Sequence, residues 1–223
     1  MSLDTLVLEA FAHYTTFNQS YPITASMLTA SAIFPSADIT SQLITTKKVN
    51  WNKVGYTASL APLYGIAAYF SVRSADLVPT ENMSPSLQPL AKAALGPNLW
   101  GNLFNAYFFV NNTVGERSGY RFRELCNHYY FIISGTSLNN TEDKKEYLPH
   151  FFERVKEKII DYIPRQEYLK ATLGTVTFWN AFQYANYSYV PLEMQTPSTL
   201  AMAFGWTILL SAWSMVGSRK MNS

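Results

Sequence analysis

The chain has 223 residues, of which 48% are hydrophobic and 14% are charged, and its formal net charge is +2. So small a charge, without basic residues interleaved among aromatic ones, argues against nucleic-acid binding, and the single cysteine, Cys126, excludes an intrachain disulfide and a thiolate metal cage. The mean hydropathy is −0.04, but nineteen of the 32 charged residues lie between residues 116 and 170. The rest of the chain is therefore poor in charge.

The N-terminal half predicts helices at and across a membrane. Residues 1–19 combine an apolar run with a polar end, which indicates an interfacial helix. Residues 20–115 contain three stretches with few charges, each long enough to cross a bilayer as a helix. The first two, 21–46 and about 54–72, are rich in small residues that permit close helix packing. The third, 93–115, contains Asn residues that must be buried against other helices or water.

The charged region that follows predicts a connection and a surface helix. Residues 116–147 have little apolar periodicity and are predicted to form a surface loop. Residues 148–163 have apolar side chains at helical spacing and charges on the other faces. This pattern is typical of an amphipathic helix that lies on a membrane or docks on a partner.

The C-terminal region, residues 165–218, predicts a helical hairpin. Two long uncharged runs flank Glu193, and the turn is expected between Pro191 and Pro197. The predicted fold is therefore all-α: a multi-pass bundle of four to five transmembrane helices with an amphipathic surface helix, forming one integral membrane domain over residues 1–223.

The hairpin also carries an ordered set of residues: Trp179, Gln183, Asn186, Tyr187, Val190, Pro191 and Trp206. This order resembles the C-terminal signature of the Mpv-seventeen family, also called the peroxisomal membrane protein (Sym-type) family, of which the chain is identified as a divergent member. Asn180 replaces the family's Pro, and Gln195 stands where the family has Arg. The resemblance implies a small integral protein of the mitochondrial inner or peroxisomal membrane, in a family some of whose members are thought to form weakly selective channels.

Seven polar residues inside the predicted spans are the candidate functional residues: Asp38, Gln42, Asn98, Asn102, Asn105, Gln183 and Asn186. One interpretation is interhelical hydrogen bonding, with about 0.6 kcal/mol per pair in membranes. The other is that a subset of them, facing inward together, lines a wet path for a solute. The resemblance places Asp38 and Gln42 in the family's opening pattern.

No catalytic chemistry is evident in the sequence. It has no glycine-rich phosphate cradle, nucleophile elbow or HExxH motif, and His13, His128 and His150 are scattered. We therefore expect no enzyme, no cofactor and no metal site.

Two functional hypotheses remain. The first is an accessory subunit of a larger mitochondrial inner-membrane assembly, such as a respiratory-chain or ATP synthase complex, because family polar features are missing while a charged connection and an amphipathic helix are present. The second is a channel of the mitochondrial inner or peroxisomal membrane. The expected partners are membrane lipids and other membrane-protein subunits. With five spans, 15 of the 17 Lys and Arg residues lie on one side, which predicts the long charged loop and the C-terminus on the matrix or cytosolic side.

Overall fold

The computed structural model describes residues 2–134 and 159–221, which are helical and contain no β-strand. The all-α prediction is confirmed for these residues. The helices are α1 (Leu3–Ser20), α2 (Pro22–Thr46), α3 (Trp51–Ser74), α4 (Gln88–Arg117), α5 (Phe122–Ser134), α6 (Arg165–Gly174), α7 (Asn180–Tyr189) and α8 (Gln195–Met221). A π-helical segment, Thr175–Trp179, joins α6 to α7.

Local signals explain where the first helices begin and end. Pro22 occupies the first turn of α2, where a missing N–H has no cost. Lys47 ends that helix in the left-handed conformation, with φ of 56°. The side chain of Asn50 caps α3 by accepting hydrogen bonds from the backbone N–H groups of Asn52 (3.1 Å) and Lys53 (3.2 Å).

Helix α2 packs most extensively against α3 and α8, while α4 packs against α3 and α7. One core cluster joins α2, α3 and α8 through Phe34, Tyr64 and Leu200. A second joins α4, α6 and α8 around Phe109 and Trp206. Helix α8 of the C-terminal hairpin therefore packs against α2 and α3 in one cluster and against α4 and α6 in the other.

In the part of the chain that the structure describes, none of the helices combines the length and the apolar character needed to cross a membrane. The described helices therefore do not bear out the prediction of four to five transmembrane spans. Helices α2, α3, α4 and α8 have 25, 24, 30 and 27 residues, more than the roughly 20 that a bilayer requires. These helices are long enough but not apolar enough, because their sequences include many Ser, Thr, Asn and Gln residues.

The charged connection differs from its prediction. Residues 116–147 were expected to form a loop, but α4 continues to Arg117 and α5 occupies Phe122–Ser134. Helix α5 forms because Leu125, Tyr129 and Ile132 recur on one face and pack against α4. The predicted amphipathic helix over 148–163 and the end of the predicted loop fall largely outside the described residues.

Candidate functional site

The first polar group, the Asp38 cluster, joins α2 to α3 and consists of Asp38, Gln42, Lys53 and Thr57. The Asp38 side chain is buried, and its Oδ1 lies 3.5 Å from the Lys53 Nζ. Its Oδ2 accepts hydrogen bonds from the Gln42 Nε2 at 3.0 Å and the Thr57 Oγ1 at 3.5 Å. Removing one partner of a buried ion pair typically costs about 3–5 kcal/mol, because the other charge is left unpaired. The cluster therefore fixes how these two helices pack.

The second polar group, the Asn105 cluster, consists of Asn105, Thr175 and Trp206. The Asn105 Nδ2 donates to the Thr175 Oγ1 at 2.8 Å, and the Asn105 Oδ1 accepts from the Trp206 Nε1 at 3.3 Å. Thr175 begins the π-helical segment, whose wider turn alters the helical phase between α6 and α7. Three parts of the chain, α4, the π segment and α8, thus meet at one buried amide.

The third polar group, the Gln183 cluster, closes the C-terminal hairpin and consists of Gln183, Asn186, Gln195 and Thr199. The Gln183 Nε2 donates to the Thr199 Oγ1 at 3.1 Å. The Asn186 Nδ2 donates to the Gln183 Oε1 at 3.0 Å and to the Gln195 carbonyl at 3.1 Å. The Gln195 Nε2 donates to the Val190 carbonyl at 3.2 Å. Gln195 therefore stabilises the turn between α7 and α8.

A cavity of about 70 Å³ touches both the Asn105 and Gln183 clusters, and Phe34, Tyr64 and Phe104 form part of its wall. The Tyr64 ring centroid lies 4.7 Å from that of Phe34 and 5.3 Å from that of Phe104. Phe34 precedes Asp38 by one turn of α2, so this aromatic layer lies between the Asp38 cluster and the cavity. A space of this size holds a few water molecules at most.

Two predicted residues, Asn98 and Asn102, join none of these clusters. The Asn98 Nδ2 donates to the Ala94 carbonyl at 2.7 Å, and the Asn102 Nδ2 donates to the Asn98 carbonyl at 3.0 Å. Both amides therefore bond within α4. The other five predicted residues are buried and fall into the three clusters.

Sequence reasoning missed the partners of those residues. Lys53, Thr57, Thr175 and Thr199 were not among the candidates. The sequence contained one indication of the role of Lys53. A lysine in the first turn of a charge-poor helix needs a nearby carboxylate. Among the described residues, no group of three or more His, Cys, Asp or Glu side chains could hold a metal ion.

The residues of the C-terminal signature are packing and turn residues in this fold. Trp179 and Trp206 meet edge to face with centroids 6.1 Å apart. The Tyr187 hydroxyl donates to the Val72 carbonyl at 3.4 Å, which ties α7 to the end of α3. Val190 and Pro191 lie in the turn between α7 and α8.

Residues 150–211, a little over a quarter of the chain, match the family model described as Mpv17 / PMP22 family. The match covers α6, the π segment, α7 and α8 as far as Ser211, and therefore the whole Gln183 cluster. No curated protein and no solved structure matches the chain.

Proposed function

We propose, from the membership in the Mpv17 / PMP22 family that the match over residues 150–211 supports, that this protein is a non-catalytic integral membrane protein and an accessory subunit of a larger assembly. Membership in the family implies a membrane protein of mitochondria or peroxisomes. The proposed site is the mitochondrial inner membrane, in a respiratory-chain or ATP synthase complex. The charged connection and the C-terminus would lie on the matrix side, since most of the basic residues lie between residues 116 and 170 or at the C-terminus.

The observation that carries the membrane proposal is that large apolar side chains are exposed along the helices while polar clusters are buried between them. Leu28 is 60% exposed and Leu103 is 54% exposed, whereas Asp38 and Gln183 are each 1% exposed. Other large apolar side chains exposed along the helices are Leu43, Ile44, Leu63, Phe70, Leu169, Leu173, Val176, Phe178 and Leu209. Such a surface suits lipid or protein partners. The buried polar clusters also lower the average apolar character of the helices.

The preference for a structural role rests on how the polar groups are used. Within the three clusters, most buried amide and carboxylate atoms bond to other side chains or backbone of the bundle. An aromatic layer of Phe34, Tyr64 and Phe104 interrupts the polar path between the Asp38 cluster and the cavity. These groups therefore resemble interhelical hydrogen bonds more than the lining of a pore.

The position of helix α1 is a further argument for a partner protein outside the bundle. The Asn18 Nδ2 donates to the Glu193 carbonyl at 2.5 Å, which holds the C-terminal end of α1 against the hairpin turn. Leu8 and Phe11 on the same helix are 68% and 55% exposed. The helix is thus fixed in place while its apolar side chains remain available for contact.

The test is the native mass of the protein after extraction from its own membrane in a mild detergent. We expect migration in a complex of hundreds of kilodaltons, with comigrating subunits identified by mass spectrometry. The same sample in a denaturing detergent is the control and should release the 25.2 kDa chain. Migration only as a monomer or small homo-oligomer in the mild detergent would contradict the accessory role.

The alternative function is a weakly selective channel, which the cavity beside the Asn105 and Gln183 clusters favours. If solute passes the aromatic layer, Phe104→Ala should raise conductance in planar bilayers, because it removes a ring from the wall of that cavity. Leu103→Ala is the matched control, since Leu103 faces outward. Absence of conductance in the wild type and both variants would reject the channel.

A further inference from the structure

We propose that a phosphate group binds in a second cavity, the α2–α3 vestibule, located where α2 ends, α3 begins and α4 ends. The vestibule has a volume of about 320 Å³, and its lining includes Gln42, Lys48, Asn50, Lys53, Glu116 and Tyr120. It is separate from the cavity beside the Asn105 cluster. This inference does not depend on the accessory or channel role.

Lys53 is the principal cationic group of the site. It lines the vestibule although its side chain is only 6% exposed, and its Nζ lies 3.5 Å from the Asp38 Oδ1. An ammonium group has three N–H donors, and the contact with Asp38 occupies one of them. The remaining donors are available to an oxygen atom that enters the vestibule.

Two further groups complete the donor set. Lys48 lies on the exposed side of the lining and adds a second positive charge. The Tyr120 hydroxyl oxygen is buried and has no hydrogen-bond partner among the described residues. An unpaired buried hydroxyl costs about 1–3 kcal/mol, so a phosphate oxygen that reached the Tyr120 hydroxyl would be stabilised there.

The charges favour a singly charged phosphate over a polyphosphate. Lys48 and Lys53 are offset by Asp38 and by Glu116, a half-buried lining residue, so the site has no net charge. Asp38 is already engaged by Gln42 and Thr57 as well as by Lys53. Glu116 is therefore the carboxylate that most weakens anion binding.

The phosphate has two possible sources, a free anion or a phospholipid head group. Next to the vestibule, Leu43, Ile44 and Trp51 are 50%, 67% and 69% exposed. Exposed apolar side chains beside lysines suit the boundary between lipid and water. The lipid head group is therefore the source that the surroundings favour.

The test measures the melting temperature of the purified full chain in a neutral detergent. Sodium phosphate is titrated against sodium chloride at equal ionic strength, and phosphatidylglycerol is titrated against phosphatidylcholine. We expect saturable stabilisation by phosphate or phosphatidylglycerol. A response to phosphatidylglycerol at concentrations where free phosphate has no effect identifies the lipid, and a response to phosphate alone identifies the free anion.

The variants locate the site. Lys48→Met should weaken the apparent affinity about fivefold and Glu116→Gln should strengthen it about fivefold, the range of one partly exposed charge pair. Lys47→Met is the matched control, because Lys47 is the exposed neighbour outside the vestibule lining. The double variant Asp38→Asn/Lys53→Met removes both buried charges together and should abolish the response.

Two results would overturn the proposal. One is no saturable stabilisation by either phosphate or phosphatidylglycerol in the wild type. The other is an equal loss of affinity in Lys47→Met and Lys48→Met with no gain in Glu116→Gln, which would indicate attraction to the basic surface in general.

Discussion

At the scale of the residue, small side chains decide how closely these helices approach. A Cβ on Gly65 would lie 2.4 Å from the Ser26 carbonyl oxygen, so α2 and α3 touch there through their backbones. A Cβ on Gly174 would lie 2.3 Å from the Trp206 ring. Contacts of this kind require the absence of a side chain and are sensitive to one added methyl group.

Gly65→Ala should therefore destabilise the protein by about 1–3 kcal/mol, because the backbones of α2 and α3 must separate. Gly55→Ala is the control on the same helix, where a Cβ meets no atom within 4 Å. It should stabilise the protein by about 0.5–1 kcal/mol, since Ala has the higher helix propensity. Thermal unfolding of both variants checks the prediction, and equal effects would contradict it.

Buried amide side chains also affect stability at the scale of the residue. Asn105→Leu should destabilise the protein by about 1–3 kcal/mol, since it removes the hydrogen bonds to Thr175 and Trp206 and leaves the buried Trp206 N–H without an acceptor. Asn52→Leu, on the exposed start of α3, serves as the control and should change stability by less than 0.5 kcal/mol. Denaturant unfolding measures both variants. A stabilised Asn105→Leu would show that the amide has a role other than packing.

At the scale of the element, polar contacts attach α5 to its neighbours. The Tyr129 hydroxyl bonds to the Tyr56 hydroxyl and donates to the Asn111 Oδ1 at 2.5 Å. His128 is joined to the Tyr162 hydroxyl through its Nδ1 at 2.9 Å. The Arg117 guanidinium carbon lies 4.4 Å from the centroid of the same Tyr162 ring. Helix α5 is thereby tied to the end of α4 and to the segment before α6.

Burial, and then the nearby Arg117 guanidinium, lower the pKa of His128 below its ordinary value of 6.5. Neutral His128 is therefore favoured in the folded state. Its contribution to stability is present above pH 6.5 and is lost as the pH falls through the lower folded pKa.

Hydrogen exchange of α5 should accordingly quicken as the pH falls below about 6.5, after correction for intrinsic exchange. His128→Asn should remove this pH dependence, whereas His13→Asn, on exposed α1, should retain it. An NMR titration that gives His128 a pKa above 6.5 would contradict the prediction.

At the scale of the whole molecule, the helices expose several large apolar side chains and bury three polar clusters beside their apolar cores. The outward side chains include Leu28 on α2 and Leu103 on α4. The inward groups form the Asp38, Asn105 and Gln183 clusters. The exposed apolar side chains on several helices are the feature that a lipid-facing role would use.

Leu28→Lys should reduce the fraction of protein that stays with membranes after a carbonate wash, because a charge in hydrocarbon costs about 3 kcal/mol on insertion scales. Asn82→Lys adds the same charge in the exposed connection between α3 and α4 and is the control. Equal retention of both variants with the wild type would count against a lipid-facing α2.

The sequence by itself determined the helical class, because long stretches without charge or turn residues leave few alternatives to helices. It also located the turn near Pro191, and five of its seven candidate polar residues are buried between helices, while Asn98 and Asn102 are not. It did not identify α5, since the dense charges around Phe122–Ser134 hid a short apolar face.

Only the tertiary structure decided which polar groups meet. Asn105 pairs with Thr175 and with Trp206, which lie 70 and 101 residues away, and Asp38 pairs with Lys53 on the next helix. Helical periodicity states which face a side chain occupies but not which helix covers that face. The small residues around Gly65 predicted a packing face but not its partner, whereas the π segment at Thr175 and the vestibule at Lys53 arise from packing between helices and appear in no local pattern.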